Sequence, residues 1–143
     1  TELLEIKEGD RILEIGTGSG YQGSILHLLG AEVFTIEYQK KLFEGTKRFL
    51  TRLGIEMHLF YGDGTGGLPA YAPYDKIIVT AGAPVVPEAL IQQLKIGGIL
   101  VIPVGDKRKQ AMLKITKKSS TKVEQEEFEG FAFVPLLGKD GWG

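Results

Sequence analysis

The segment Arg11-Ile12-Leu13-Glu14-Ile15-Gly16-Thr17-Gly18-Ser19-Gly20-Tyr21-Gln22 constrains this chain more than any other. Arg11 to Ile15 is short and rich in Ile and Leu, the composition of a buried parallel strand, and Gly16, Gly18 and Gly20 then allow a sharp turn. Beyond Tyr21, the residues Ile25, Leu26, Leu28 and Leu29 return at helical spacing. A strand that passes through such a turn into a helix presents unpaired N–H groups, and the positive end of the helix dipole, to whatever lies over the loop. The segment therefore predicts a ligand-binding turn.

The glycine spacing separates two kinds of nucleotide site. A dinucleotide loop places its third glycine five residues after the first, where helix and strand must pack closely. Here that position is Tyr21, and the third glycine is Gly20, with Glu14 two positions before Gly16. This Gly-x-Gly-x-Gly loop resembles that of class I methyltransferases, which bind S-adenosylmethionine. That ligand has no pyrophosphate to cradle and carries an amino group and a sulfonium, so a carboxylate near the loop is tolerable. Taken alone, the loop leaves a plain strand-to-helix glycine turn open.

The rest of the chain alternates strand and helix patterns, which predicts an α/β fold with a mostly parallel sheet covered on both faces. Glu32 to Glu37 is a β-branched and aromatic run reached after Gly30 stops the first helix. Gln39 to Leu53 is an amphipathic helix closed by Gly54, its lysines and arginines reading as a solvated face. Met57 to Tyr61 is a third strand, broken by a second glycine loop at Gly62-Asp63-Gly64-Thr65-Gly66-Gly67. Lys76 to Thr80 is a fourth strand, ending in the small residues Ala81, Gly82, Ala83 and Pro84. Pro87 opens a helix expected to run to about Leu94, and Ile99 to Val104 is the fifth strand. Gln110 to Thr116 and Val123 to Phe128 form a hairpin, and Phe131 to Val134 a further strand, giving an antiparallel C-terminal portion. The expected architecture is a three-layer, doubly wound, Rossmann-like sheet. Thr1 to Ile6 reads as the tail of a helix already under way.

A chain of 143 residues with 43% hydrophobic content suffices for one domain with a real core. A net charge of −1 gives no electrostatic case for nucleic acid or an anionic membrane as partner. The basic residues Lys107, Arg108, Lys109, Lys117, Lys118 and Lys122 are followed by Glu124, Glu126, Glu127 and Glu129, a mixed-charge hairpin surface. Cys is absent, which removes disulfides and thiolate metal sites, and the loop chemistry favours the cytoplasm. His27 and His58 read as ordinary structural or surface histidines, so no metal site is expected. No apolar run approaches the length of a membrane span.

Three acids fall at the C-terminal ends of the first three strands, where an open α/β sheet binds ligands. Glu14 adjoins the first loop, Glu37 ends the second strand, and Asp63 lies in the second loop. Glu37, about twenty residues after the first glycine, is spaced to accept from both ribose hydroxyls. Asp63 is spaced to accept from an adenine amino group. Three acids at exposed strand ends is the plain alternative.

The stretches Glu14 to Gln22, Gly62-Asp63-Gly64-Thr65-x-Gly67, Tyr74 to Ala81, Leu90-x-x-Gln93-Leu94-Lys95-x-Gly97-Gly98, Val101-x-Pro103-Val104-Gly105 and Phe133-Val134-Pro135-Leu136 resemble, in order, the protein-L-isoaspartate O-methyltransferase family. The resemblance implies that Glu14, Gly16, Thr17, Gly18, Ser19 and Gly20 hold the methionine part of S-adenosylmethionine. It implies Glu37 and Tyr38 for the ribose, and Gly62, Asp63 and Gly64 for the adenine. Thr80, Ala81, Gly82, Ala83 and Val134 would line a pocket for an isoaspartyl residue of a damaged protein or peptide. The implied activity is methylation of the free α-carboxylate of that residue, whose ester collapses to a succinimide and permits repair. The family also places a hydroxyl-bearing segment of the type Ile-Ser-x-Pro ahead of the position of Thr1. No residue of this chain is therefore assigned as the catalytic hydroxyl, and the expectation is a domain truncated at its N-terminus. A methyltransferase for RNA or a small molecule, and a non-catalytic nucleoside-binding module, are the alternatives.

Overall fold

The computed structural model describes residues 2–106 and 109–131. The chain runs β1 (Arg11–Ile15), α1 (Tyr21–Leu28), β2 (Glu32–Glu37), α2 (Lys40–Leu53), β3 (His58–Tyr61), β4 (Tyr74–Val79), α3 (Glu88–Gln92), β5 (Leu94–Gly105), β6 (Gln110–Lys117) and β7 (Val123–Phe131). The strands form one sheet in the order β3-β2-β1-β4-β5-β6-β7. Strands β1 to β5 are parallel, while β6 and β7 are antiparallel additions at one edge. The strand order reverses between β1 and β4, which opens a crevice at their C-terminal ends, the position ligands take in doubly wound sheets.

Alternation along the strands divides the core in two. Ile12, Val33, Ile78 and Val101 pack with Leu26 of α1 and with Leu4 on one face. Leu13, Phe34, Ile77 and Leu100 pack with Leu90 of α3 and with Tyr74 on the other. Glu14 and Thr35, paired across β1 and β2, occupy the α1 face, two polar residues at core positions. At the N-terminal edge Arg11 lies 4.8 Å over the Phe34 ring, on which His58 stacks at a centroid distance of 4.5 Å. His58 thus serves as a flat packing ring.

Four details differ from the sequence expectation. Glu2–Leu4 is a single 3-10 turn rather than a helix tail, because Glu5 takes a left-handed φ of 53° that ends it, with Leu4 fully buried as the anchor. Helix α3 stops at Gln92, since Lys117 Nζ donates to the carbonyls of Ile91 and Leu94 at 3.0 Å each and closes the turn. Strand β5 accordingly starts at Leu94, and the ladder partners Tyr74↔Leu94 and Lys76↔Ile99 leave Lys95, Ile96 and Gly97 bulged outward. Strand β7 continues to Phe131, absorbing the first residue of the expected extra strand. The rest of that strand, including Val134, and the basic residues Lys107 and Arg108 lie outside the described residues. No helix among the described residues is long and apolar enough to cross a membrane.

Candidate cofactor and substrate site

The first loop is held on all sides. Gly16, Gly18 and Gly20 have φ of 92°, 57° and 87°, a region that penalises any residue with a Cβ. Gly16 N–H donates to Ile36 O at 2.9 Å, and Thr80 Oγ1 donates to Gly16 O at 2.7 Å. A Cβ added at Gly16 would lie 2.5 Å from that Thr80 hydroxyl, so the glycine permits the brace. On the far side Thr46 Oγ1 of α2 donates to Gly18 O at 2.6 Å. Gly20 then starts α1 without a side-chain cap, and Ser19 and Tyr21 beside it are exposed.

Beneath the loop lies a buried polar chain. Thr17 and Thr35 hydroxyls are 2.7 Å apart, and Thr35 Oγ1 donates to Glu14 Oε1 at 2.6 Å. With Thr35 donating to the carboxylate, Thr17 donates to Thr35, and the Thr17 hydroxyl is turned inward as an anchor for the loop. Glu14 is fully buried, and its Oε2 has no hydrogen-bond partner. Burial raises its pKa to about 7, opposed by the Thr35 hydrogen bond and reinforced by the charge of Glu37.

Glu37 ends β2 beside the loop and is 5% exposed. Its two oxygens each take one backbone N–H, from Gly18 and from Gln39, both at 2.9 Å. Each carboxylate oxygen retains a further lone pair. Tyr38, the next residue, is 45% exposed. Gly62 N–H donates to Glu37 O at 2.9 Å and ties the second loop to the first. There Asp63 Oδ1 accepts from the N–H and hydroxyl of Thr65, at 2.9 and 2.7 Å. Gly64 sits so near the strand ends that a Cβ would lie 2.6 Å from Ile15 Cγ2 and 2.9 Å from Ile36 Cγ2.

The segment after β4 extends the sheet. Ala83 N–H donates to Pro103 O at 2.9 Å, and Gly105 N–H donates to Ala83 O at 3.0 Å. Gly82 and Ala83 are buried in this bridge, with Thr80 and Ala81 partly exposed beside the first loop. Glu14, Glu37 and Asp63 thus sit at the ends of β1 to β3, and Thr80 joins them to the small-residue segment. An adenosyl group fits the acceptors of Glu37 and Asp63. The orphaned carboxylate oxygen of Glu14 favours a cationic end over the loop and disfavours a phosphate.

Residues 1–141 match the model of the Protein-L-isoaspartate(D-aspartate) O-methyltransferase family. The chain belongs to this family. The protein-L-isoaspartate O-methyltransferase of Cytophaga hutchinsonii is 56% identical over 142 residues, covering 99% of this chain and 64% of that protein. The chain thus spans about two thirds of that relative's length. A solved protein-L-isoaspartate O-methyltransferase superposes with a TM-score of 0.87 at 34% identity, over 97% of this chain and 45% of that one. A Plasmodium falciparum structure in complex with S-adenosyl-L-homocysteine shares the fold at TM-score 0.76 and 24% identity, over 95% of this chain and 68% of that one.

Four residues of this isoaspartate O-methyltransferase family member that brace these loops or pack on the small-residue segment are not apparent from the sequence. Thr35 had a signal, a lone hydroxyl within the apolar run Val33-Phe34-Thr35-Ile36. Thr46 had none and Gln93 stood in a family-like stretch without a role, because each reaches its loop from a helix or its cap, through the fold. Gln93 Nε2 donates to Gly66 O and its Oε1 accepts from Leu68 N–H, both at 2.9 Å, which straps the second loop. Gln110 lies against Gly82 and likewise becomes visible only when β6 is in place.

Proposed function

We propose that the protein transfers a methyl group from S-adenosylmethionine to the free α-carboxylate of L-isoaspartyl residues in damaged proteins or peptides. Family membership supports the substrate half of this reading. The observation that carries the cofactor half is Glu14, a buried carboxylate with one orphaned oxygen beneath three left-handed glycines. A negative group so placed is stabilised by an ammonium or sulfonium over the loop and repels a pyrophosphate. Glu37 accepts from the ribose hydroxyls and Asp63 from the adenine amino group.

S-adenosylmethionine supplies the electrophilic methyl, and the isoaspartyl carboxylate, already ionised at neutral pH, needs no protein base to accept it. The work of this chain is therefore orientation, which supplies several kcal/mol of a barrier when reactants are held in line. Thr80 donates its hydroxyl hydrogen to Gly16 O at 2.7 Å, with Ile15 O at 3.1 Å, and so braces the loop beside the acceptor. Ala81, partly exposed beside the buried Gly82 and Ala83, is small enough to let a peptide backbone approach. A cytoplasmic location accompanies this reading.

Methyl incorporation from labelled S-adenosylmethionine, compared between an isoaspartyl peptide and its normal aspartyl counterpart, tests the proposal. Only the isoaspartyl peptide should be labelled. Equal labelling of both, or none of either, would refute it.

A further inference from the structure

Two buried glutamines, Gln93 just before β5 and Gln110 at the start of β6, are built alike. Gln93 lies on Gly67, where a Cβ would meet its amide atoms at 2.2–2.7 Å. Gln110 lies on Gly82, where a Cβ would meet its amide atoms at 2.2–2.5 Å. Both are more than nine-tenths buried, Gln93 at 8% exposure and Gln110 at 7%. They differ in satisfaction. Gln93 spends its oxygen on Leu68 N–H and its nitrogen on Gly66 O, so it is a complete structural strap. Gln110 Oε1 is buried with no donor.

A buried amide oxygen left without a donor is costly, so its presence against a glycine needs a reason. The position of Gln110 is closely specified. It pairs with Gly105 in the β5–β6 ladder, and Gly105 in turn donates to Ala83 O at 3.0 Å. The turn into β6 is so tight that a Cβ on Gly105 would lie 2.2 Å from Lys109 O. Gln110 is thereby fixed on the small-residue segment that continues, through Thr80, to the first glycine loop.

The missing donor does not come from the adenosyl group. β6 lies three strands from β1 and four from β2, roughly 14 and 19 Å at about 4.8 Å per strand, while the acceptors for ribose and adenine follow β2 and β3. On the isoaspartyl reading, the segment Thr80 to Ala83 faces the methyl acceptor. A substrate recognised by a damaged residue in many sequence contexts offers only its backbone N–H groups as dependable donors. We infer that Gln110 is a substrate-binding residue, whose side-chain oxygen accepts a backbone N–H of the isoaspartyl peptide beside the reacting carboxylate as that backbone lies across Gly82. This rests on the isoaspartyl reading of the function.

The test is a cycle in the intact protein. Wild type and Gln110→Met are assayed for kcat and KM with an isoaspartyl peptide and with two ester analogues, in which oxygen replaces the N–H of the isoaspartyl residue or of the residue after it. Wild type should lose about tenfold in kcat/KM with one of the two esters. Gln110→Met should lose about tenfold with the amide peptide, through KM, and nothing further with that ester. Its affinity for S-adenosylhomocysteine should match wild type, which a general folding defect would not allow. Wild-type kinetics in Gln110→Met, or equal ester penalties in the two proteins, would overturn the assignment while leaving the isoaspartyl reading intact. Failure of wild type to methylate the amide peptide would overturn both.

Discussion

Thr35 donates its hydroxyl hydrogen to Glu14 across the β1–β2 pair at 2.6 Å, inside the sheet and directly below the glycine loop. The same hydroxyl meets Thr17 at 2.7 Å, so one threonine in the centre of an apolar strand links the loop to the acid that precedes it. Replacing Thr35 with Val keeps the shape and removes both bonds. Thr35→Val should lower stability by about 1–3 kcal/mol, since it orphans Glu14 Oε1 as well as Oε2. It also removes the bond that holds the Glu14 pKa down, so the affinity for S-adenosylmethionine should reach its plateau at a higher pH than in wild type. A pH profile of binding that superposes on wild type would show that the relay does not act on the ligand.

Glu14 also sets a pH dependence of stability. Its folded pKa is raised from 4.5 to about 7, chiefly by burial, so the native state binds this proton more tightly than the unfolded state. The stability contributed by Glu14 is then full below about pH 4.5 and is lost as pH rises through 7. Glu14→Gln, a neutral near-isostere, should exceed wild type in stability by on the order of 1–3 kcal/mol at pH 8 and approach it at pH 5. Denaturant unfolding at the two values measures this. The same variant should bind S-adenosylmethionine less well at pH 8, because the cationic ligand favours the ionised carboxylate it lacks. Equal stability of the two proteins at pH 8 would contradict the assignment.

Two glycines of the second loop should separate packing from flexibility. An alanine at Gly64 drives a methyl to within 2.6 Å of Ile15 Cγ2, whereas a Cβ at Gly66 meets nothing within 4 Å. Gly64→Ala should destabilise by about 1–3 kcal/mol and weaken nucleoside binding by displacing Asp63. Gly66→Ala should be neutral or slightly stabilising, by about 0.5 kcal/mol, through the unfolded chain. Thermal melts of the two variants decide it, and equal shifts would mean the loop is not seated as described.

Much of this was legible in the residues because the relevant signals are local. The glycine loop, the apolar runs of β1, β2 and β4 and the stop at Gly54 each depend on neighbours within a few positions, and all of these elements formed near their expected bounds. Glu14, Glu37 and Asp63 lie near the strand ends where the sequence puts them, because strand ends can be read from sequence. What stayed hidden depends on register and closure. Helix α3 stops early because a lysine 25 residues beyond Gln92 takes the carbonyl of Ile91, and no pattern within the helix announces that. Thr46 acquires its partner only when α2 packs beside the first loop, and Gln93 and Gln110 acquire theirs only after β4, β5 and β6 lie side by side. The inward turn of the Thr17 hydroxyl likewise follows from its pairing with Thr35, which the loop motif alone does not reveal.

Titrating S-adenosylhomocysteine into wild type, Glu37→Ala and Asp63→Ala tests the site directly. Wild type should bind, and each variant should bind about ten- to a hundredfold more weakly, as expected for hydrogen bonds to a charged acceptor. Unchanged affinity in both variants, with the fold intact by circular dichroism, would contradict the placement of the adenosyl group at the ends of β1 to β3.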